Sequence, residues 1–218
     1  MSRWGEATIL ADSGREGPAA DPRDHLMSGL PADLLREELG LGGTCFAVDA
    51  ACASSLYAIA LAAEELRAGR ADAMLAGAVN RSDPLFLHIG FAALGALSPS
   101  GRSRPFHREA DGLLPSEGCA LVLLRRLEDA ERDGERVLGV IRGVGLSNDG
   151  RARSVLAPAV EGQTRAMRLA LAQAQVSPED VRYVECHATG TSTGDAIERQ
   201  SLEEVYGTTG PVDDWTFA

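Results

Sequence analysis

Lysine is missing altogether: all 21 basic residues of this 218-residue chain are arginine. Without a primary side-chain amine there is no Schiff-base catalysis, no pyridoxal phosphate attachment and no phosphate-loop lysine. Cysteine is scarce too. The four, Cys45, Cys52, Cys119 and Cys186, form no CxxC pair and no Cys/His spacing suited to zinc, so no metal site is expected. No stretch approaches the roughly 18 apolar residues of a membrane span. No apolar targeting segment opens the chain, and a reducing cytoplasm is the expected setting. Basic charge is outweighed by 32 acidic residues, giving a net charge of -11 and a pI near 4.8. Such a chain repels nucleic-acid phosphates and acidic lipid, which argues against both as partners.

What is present fits a loop-punctuated α/β protein: 44% hydrophobic residues, enough for a sizeable core, with 24 Gly and 10 Pro. Pro31 at a helix start, Leu34, Leu35 and Leu39, and Gly40 just after predict a short helix over 31–39. Cys45–Val48 reads as a strand, followed by a long helix to Arg67 closed by Gly69. Asp72–Val79 is a continuous apolar run between turn residues, the pattern of a strand buried on both faces in a parallel sheet. Asp83-Pro84 opens a helix through Leu94. Residues 98–118, rich in Ser, Pro, Gly and charge, read as a long ordered loop of the kind that serves function. Then come a strand from Cys119 to Leu124, a charged helix from Leu127 to Gly134, a strand from Val137 to Leu146, an amphipathic helix from Gly162 to Ala174, and a strand from Val181 to Cys186. No internal repeat or low-complexity tract interrupts this alternation, which supports a layered sheet-and-helix core.

The run Val48-Asp49-Ala50-Ala51-Cys52-Ala53-Ser54-Ser55-Leu56 places one thiol between an apolar strand and the first turn of a helix whose Leu56, Ile59, Ala60, Ala63 and Leu66 recur at helical spacing. At such an elbow the positive end of the helix favours thiolate over thiol. In an Ala-rich context a lone cysteine is more commonly a small packed residue. A second motif, Glu185-Cys186-His187-Ala188-Thr189-Gly190-Thr191-Ser192-Thr193-Gly194-Asp195, puts an imidazole where a strand ends, the place at which α/β sheets bind ligands. Thr189 and Thr191, two residues apart, point the same way in an extended segment.

Together the two motifs resemble the β-ketoacyl synthase (ketosynthase) family of fatty-acid and polyketide synthases, within the thiolase fold. Phe91–Ser98, Arg104-Pro105-Phe106, Ala110-Asp111-Gly112 and Ser116-Glu117-Gly118 fall between them in the family's order. The resemblance implies an α/β, thiolase-like layered αβαβα fold, here incomplete: mostly the N-terminal half and the start of the C-terminal half. It also implies that Cys52 is the nucleophile and that His187 hydrogen-bonds the malonyl thioester carbonyl and stabilises the enolate left by decarboxylation. Thr189 and Thr191 would contact phosphopantetheine, Phe91 would gate the acyl pocket, and Asp195 and Glu198 would be loop-locking acids. The family partner for that glutamate is a lysine, which this chain lacks.

The implied activity is acyl transfer onto Cys52, then decarboxylative Claisen condensation with a malonyl thioester. It needs no bound cofactor and works on phosphopantetheine-linked acyl thioesters, with an acyl carrier protein and a second copy of the chain as partners. Arg102, Arg104 and Arg108 form a basic run that would suit an acidic carrier or a phosphate, though such runs are usually solvated. His25, His88 and His107 match no site position, and Cys45, Cys119 and Cys186 read as packing residues. The family's Lys-x-x-x-Gly-His segment and Gly-Phe-Gly-Gly loop do not occur. This suggests a partial domain over 26–206 with a poorly defined segment at 1–25 and a tail at 207–218. Two other readings stay open: a non-catalytic remnant or scaffold, and a Cys/His thioester hydrolase.

Overall fold

The structure is a computed structural model and describes residues 29–81, 85–150 and 157–207. The segment 1–25, His25, the Asp83-Pro84 helix start and all of the tail beyond Gly207 lie outside the described residues. The chain divides into two compact units, one running to Val79 and including Cys119–Arg126, the other comprising Asn80–Gly118 and the chain from Leu127 onward.

In the first unit, α1 spans Leu30–Glu38 with its proline at the N-terminal turn, where a missing N–H costs nothing. A 3₁₀ turn at Ala51–Ala53 leads directly into α2, Ser54–Arg67. Ala60, Ala62 and Leu66 are the residues α2 buries, whereas Leu56, first in the predicted stripe, is 61% exposed. Strands β1 (Met74–Asn80) and β2 (Gly118–Leu124) pair as a two-stranded sheet. Gly77 sets how closely they meet: a Cβ there would lie 2.0 Å from the Ala120 carbonyl oxygen, so only glycine fits. Arg126, just past β2, donates to the carbonyls of Leu66 (3.0 Å) and Ala71 (2.7 Å) and to Asp72 Oδ1 (2.9 Å). It thereby caps the C-terminus of α2 and anchors the approach to β1.

In the second unit, α3 covers Leu85–Ala93, α4 Leu127–Arg132, α5 Val160–Ala174 and α6 Ser192–Tyr206, with a short 3₁₀ turn at Pro178–Asp180. Helices α5 and α6 pack against each other. Residues 142–149 run along α5 at backbone contact: Cβ atoms at Gly143 and Gly145 would fall 2.4 Å and 1.8 Å from the carbonyl oxygens of Ala170 and Ala166. The Val144 N–H reaches Gln173 Oε1 at 2.5 Å.

Several strand expectations are corrected. Residues 45–48, 137–146 and 181–186 carry no sheet pairing among the described residues. Composition makes such runs β-prone, but a strand exists only where a neighbour supplies the ladder, and 142–146 runs as irregular chain against α5 instead. The Asp72–Val79 run is not buried on both faces either: only Ala76 is buried and Val79 is 58% exposed, and among the described residues the strand pairs with β2 alone. The sizeable core is likewise absent among the described residues. The buried apolar side chains are Ala60, Ala62, Leu66, Ala76, Ala130 and Leu202, while Leu138 is 85% exposed.

Candidate functional site

Cys52 stands in the middle of the 3₁₀ turn, its residue exposed and in no disulfide. The turn is closed by its own neighbours. Asp49 Oδ1 accepts the Ala51 N–H at 2.9 Å, Ser54 Oγ accepts the Ala50 N–H at 2.9 Å and donates to the Ala51 carbonyl at 2.7 Å, and the Ala53 N–H reaches the Ala50 carbonyl at 3.1 Å. This leaves Ala51 at φ +49, a left-handed conformation that costs an L residue roughly 1–2 kcal/mol. Strain therefore sits on the residue just before the thiol. Ala53, the N-cap of α2, offers no side-chain acceptor, so the positive end of that helix is uncapped one residue beyond Cys52.

In the second unit, His187 is exposed at the head of a loop that α6 holds from below. Glu198, buried on α6, takes the His187 N–H on Oε1 at 2.6 Å and the Ala188 N–H on Oε2 at 2.8 Å. Both carboxylate oxygens are satisfied by the loop backbone without any lysine. Ala188, at φ +49, repeats the left-handed kink seen before Cys52. Asp195, also buried, accepts the Gly190 N–H at 3.0 Å and, from 89 residues away in sequence, the Phe106 N–H at 2.6 Å. The hydroxyls of Thr189 and Thr191 lie 2.9 Å apart, and Thr191 also receives the Gly194 N–H at 3.2 Å as the N-cap of α6. Burial pushes the Cys186 thiol up from its ordinary range, with Glu198 and Glu185 adding to the effect.

The 98–118 segment is tied to this loop. The Gly112 N–H donates to the Gly190 carbonyl at 2.9 Å, and a Cβ on Gly190 would lie 2.8 Å from the Gly112 carbonyl oxygen. Leu97 and Leu113 form a parallel bridge. Within the segment Arg104 is paired with Glu109 at 2.8 Å and faces Asp111 at 3.7 Å, while Arg102 and Arg108 are exposed. His107 accepts the Glu109 N–H on Nδ1 at 3.1 Å.

The structure thus gathers His187, Thr189, Thr191, Asp195 and Glu198 on one loop and helix start. Phe91 lies half-buried on α3 of the same unit, and Cys52 belongs to the first unit, on its own elbow. Cys45 and Cys119 are exposed, which corrects the packing role given to them; β2 offers Cys119 no covered face. Asp49, Ser54, Phe106 and Asp111, which stand in the quoted motifs with no role assigned, hold the elbow and the loop. An Asp two residues before a turn was a usable signal for the first, but nothing local marks Phe106 as a partner of Asp195. Among the described residues no group of three His, Cys, Asp or Glu side chains could hold a metal ion, and no helix is long and apolar enough to cross a membrane. A shallow cleft of about 430 Å³ between α5 and α6, lined by Arg165, Arg168 and Glu204 among others, is separate from the loop.

Residues 7–130 match the Beta-ketoacyl synthase, N-terminal domain, and residues 138–215 the Beta-ketoacyl synthase, C-terminal domain. The chain is 44% identical over 173 residues to a mycocerosic acid synthase-like polyketide synthase of Mycolicibacterium smegmatis, covering 79% of this chain and 8% of that protein. It is 42% identical over 187 residues to the pikromycin polyketide synthase component PikAIII of Streptomyces venezuelae, covering 84% and 12%. Among solved structures, a ketosynthase from module 6 of the bacillaene synthase of Bacillus subtilis 168 superposes with a TM-score of 0.79 at 33% identity, over 84% of this chain and 33% of that one. The PfaC keto synthase-chain length factor superposes at 0.82 and 42%, over 88% and 21%. The chain spans about a tenth of the length of these curated relatives, and its α/β fold is the thiolase-like fold of ketosynthases in part.

Proposed function

Because this chain belongs to the β-ketoacyl synthase family, we propose that it carries the condensing chemistry of polyketide assembly on Cys52. The Cys52 thiolate attacks the carbonyl of a phosphopantetheine-linked acyl thioester, and the carrier sulfur leaves as its thiolate as the acyl-enzyme forms. A malonyl thioester then loses carbon dioxide, and its enolate carbon attacks the acyl carbonyl. The new carbon-carbon bond gives a β-ketoacyl thioester and returns the thiolate. His187 donates a hydrogen bond to the thioester oxygen on which the enolate charge develops. Thr189 and Thr191 hold the phosphopantetheine arm, Phe91 gates the acyl chain, and Asp195 and Glu198 fix the loop that presents the imidazole. An acyl carrier protein and a second copy of the chain are the proposed partners, in the cytoplasm.

The observation that carries this reading is the Cys52 elbow: an exposed thiol beside the uncapped end of α2 and immediately after a strained, left-handed alanine. Strain of this kind clusters where a side chain must be presented for reaction. Intact-mass analysis after incubation with an acyl-pantetheine thioester, followed by a malonyl thioester, tests it. A mass increase confined to Cys52 in the first step is the expected outcome that supports the proposal. Free acid as the main product would establish the hydrolase reading instead, and an unmodified thiol the scaffold reading.

A further inference from the structure

We propose that Asp111 is a positioning residue for the His187 loop, acting through the 98–111 segment. The proposal rests on the condensation reading above. Asp111 accepts the Ser98 hydroxyl on Oδ1 at 2.6 Å and the Ser100 N–H on Oδ2 at 3.3 Å, with Arg104 at 3.7 Å. These contacts close residues 98–111 into a ring at its base. Two connections run from that ring to the His187 loop. One leaves from the very next residue, where the Gly112 N–H meets the Gly190 carbonyl at 2.9 Å. The other leaves from Phe106, held in a left-handed conformation at φ +57, whose N–H completes Asp195; the second oxygen of Asp195 takes the Gly190 N–H.

Both connections converge on Gly190, three residues from His187, and Asp111 sits at their shared root. The side chain of Asp111 is 28% exposed and packs no apolar core, so its contribution lies in geometry more than in burial. Ser98 and Ser100 hold its carboxyl below the usual carboxylate range, which keeps it an acceptor throughout the neutral region. With Asp111 removed, the base of the ring loses its ionised acceptor, and the strained Phe106 relaxes away from Asp195.

The test uses the full chain and the variants Asp111→Ala, Asp111→Asn and Ser98→Ala, with two readouts. Amide hydrogen exchange is expected to accelerate about tenfold at Phe106 and Gly190 in Asp111→Ala and Ser98→Ala, with Ser201 in the α6 interior unchanged and Asp111→Asn intermediate. Condensation with a malonyl thioester is expected to fall about 10- to 100-fold in kcat in the two alanine variants, with KM unchanged and partial rescue by Asp111→Asn. Unaltered exchange at Phe106 and Gly190 overturns the proposal whatever the activity. Faster exchange with unaltered condensation overturns the positioning role. If the parent chain and all variants fail to condense, the condensation reading falls, acyl transfer onto Cys52 being read separately by intact mass, and the coupling is decided by exchange alone.

Discussion

The elbow that carries Cys52 and the loop that carries His187 solve the same problem by opposite means. Each contains an alanine forced to φ +49, beside the cysteine in one and the histidine in the other. At the elbow the strain is held by bonds that span no more than four residues, from Asp49, Ser54 and the Ala50 carbonyl. At the loop it is held by two buried carboxylates of α6, one of which also reaches Phe106. A reactive side chain can therefore be presented by its neighbours alone or by a tertiary clamp, and the two forms should fail differently.

The largest effect expected is at the elbow itself. Cys52→Ala should abolish acyl-enzyme formation, a loss of about a thousandfold or more as found when a nucleophile is removed, read by intact mass with an acyl thioester. Acylation at Cys45, Cys119 or Cys186 in that variant would dissolve the assignment. The clamp is next. Glu198→Ala strands two backbone N–H groups and should cost roughly 3 kcal/mol, a drop in melting temperature of about 6–12 °C, whereas Asp49→Ala at the exposed elbow should cost about 1 kcal/mol. Equal losses would erase the distinction between local and tertiary support.

Thiol chemistry sharpens the same contrast. At pH 7 iodoacetamide should alkylate Cys52 fastest and Cys186 slowest, scored by peptide mapping. A raised thiol pKa leaves little thiolate at neutral pH, and that fraction grows as pH increases, so the gap between the two should narrow toward alkaline pH. The smallest effects belong to the strained alanines: Ala51→Gly and Ala188→Gly should each stabilise by at most about 1 kcal/mol, or about 2–4 °C in calorimetry, since glycine carries no left-handed penalty. A loss of stability in either would mean that the kink is not strained.

What the sequence made legible follows the same division. Elements defined by near neighbours were readable: α1 from Pro31 and Gly40, α2 from its helical spacing and Gly69, and α5 from its amphipathic pattern, ending at Gln175 in the left-handed region. The Cys52 turn belongs with them. That 45–48, 137–146 and 181–186 carry no sheet pairing among the described residues was not readable, because pairing depends on a distant partner that no local pattern reports. Helix α6 was hidden behind the Gly/Thr-rich motif that precedes it, although Ile197, Ser201 and Leu202 carry helical spacing. The Phe106 contact to Asp195 spans 89 positions and left no local trace.

The fork of Arg126 has a dynamic consequence. One guanidinium holds the last turn of α2, the residues entering β1 and the end of β2, so none of these pieces can fray without releasing charge-assisted bonds to the other two. Native-state exchange should accordingly find them opening together as a single cooperative unit rather than as a helix end and two loose strands.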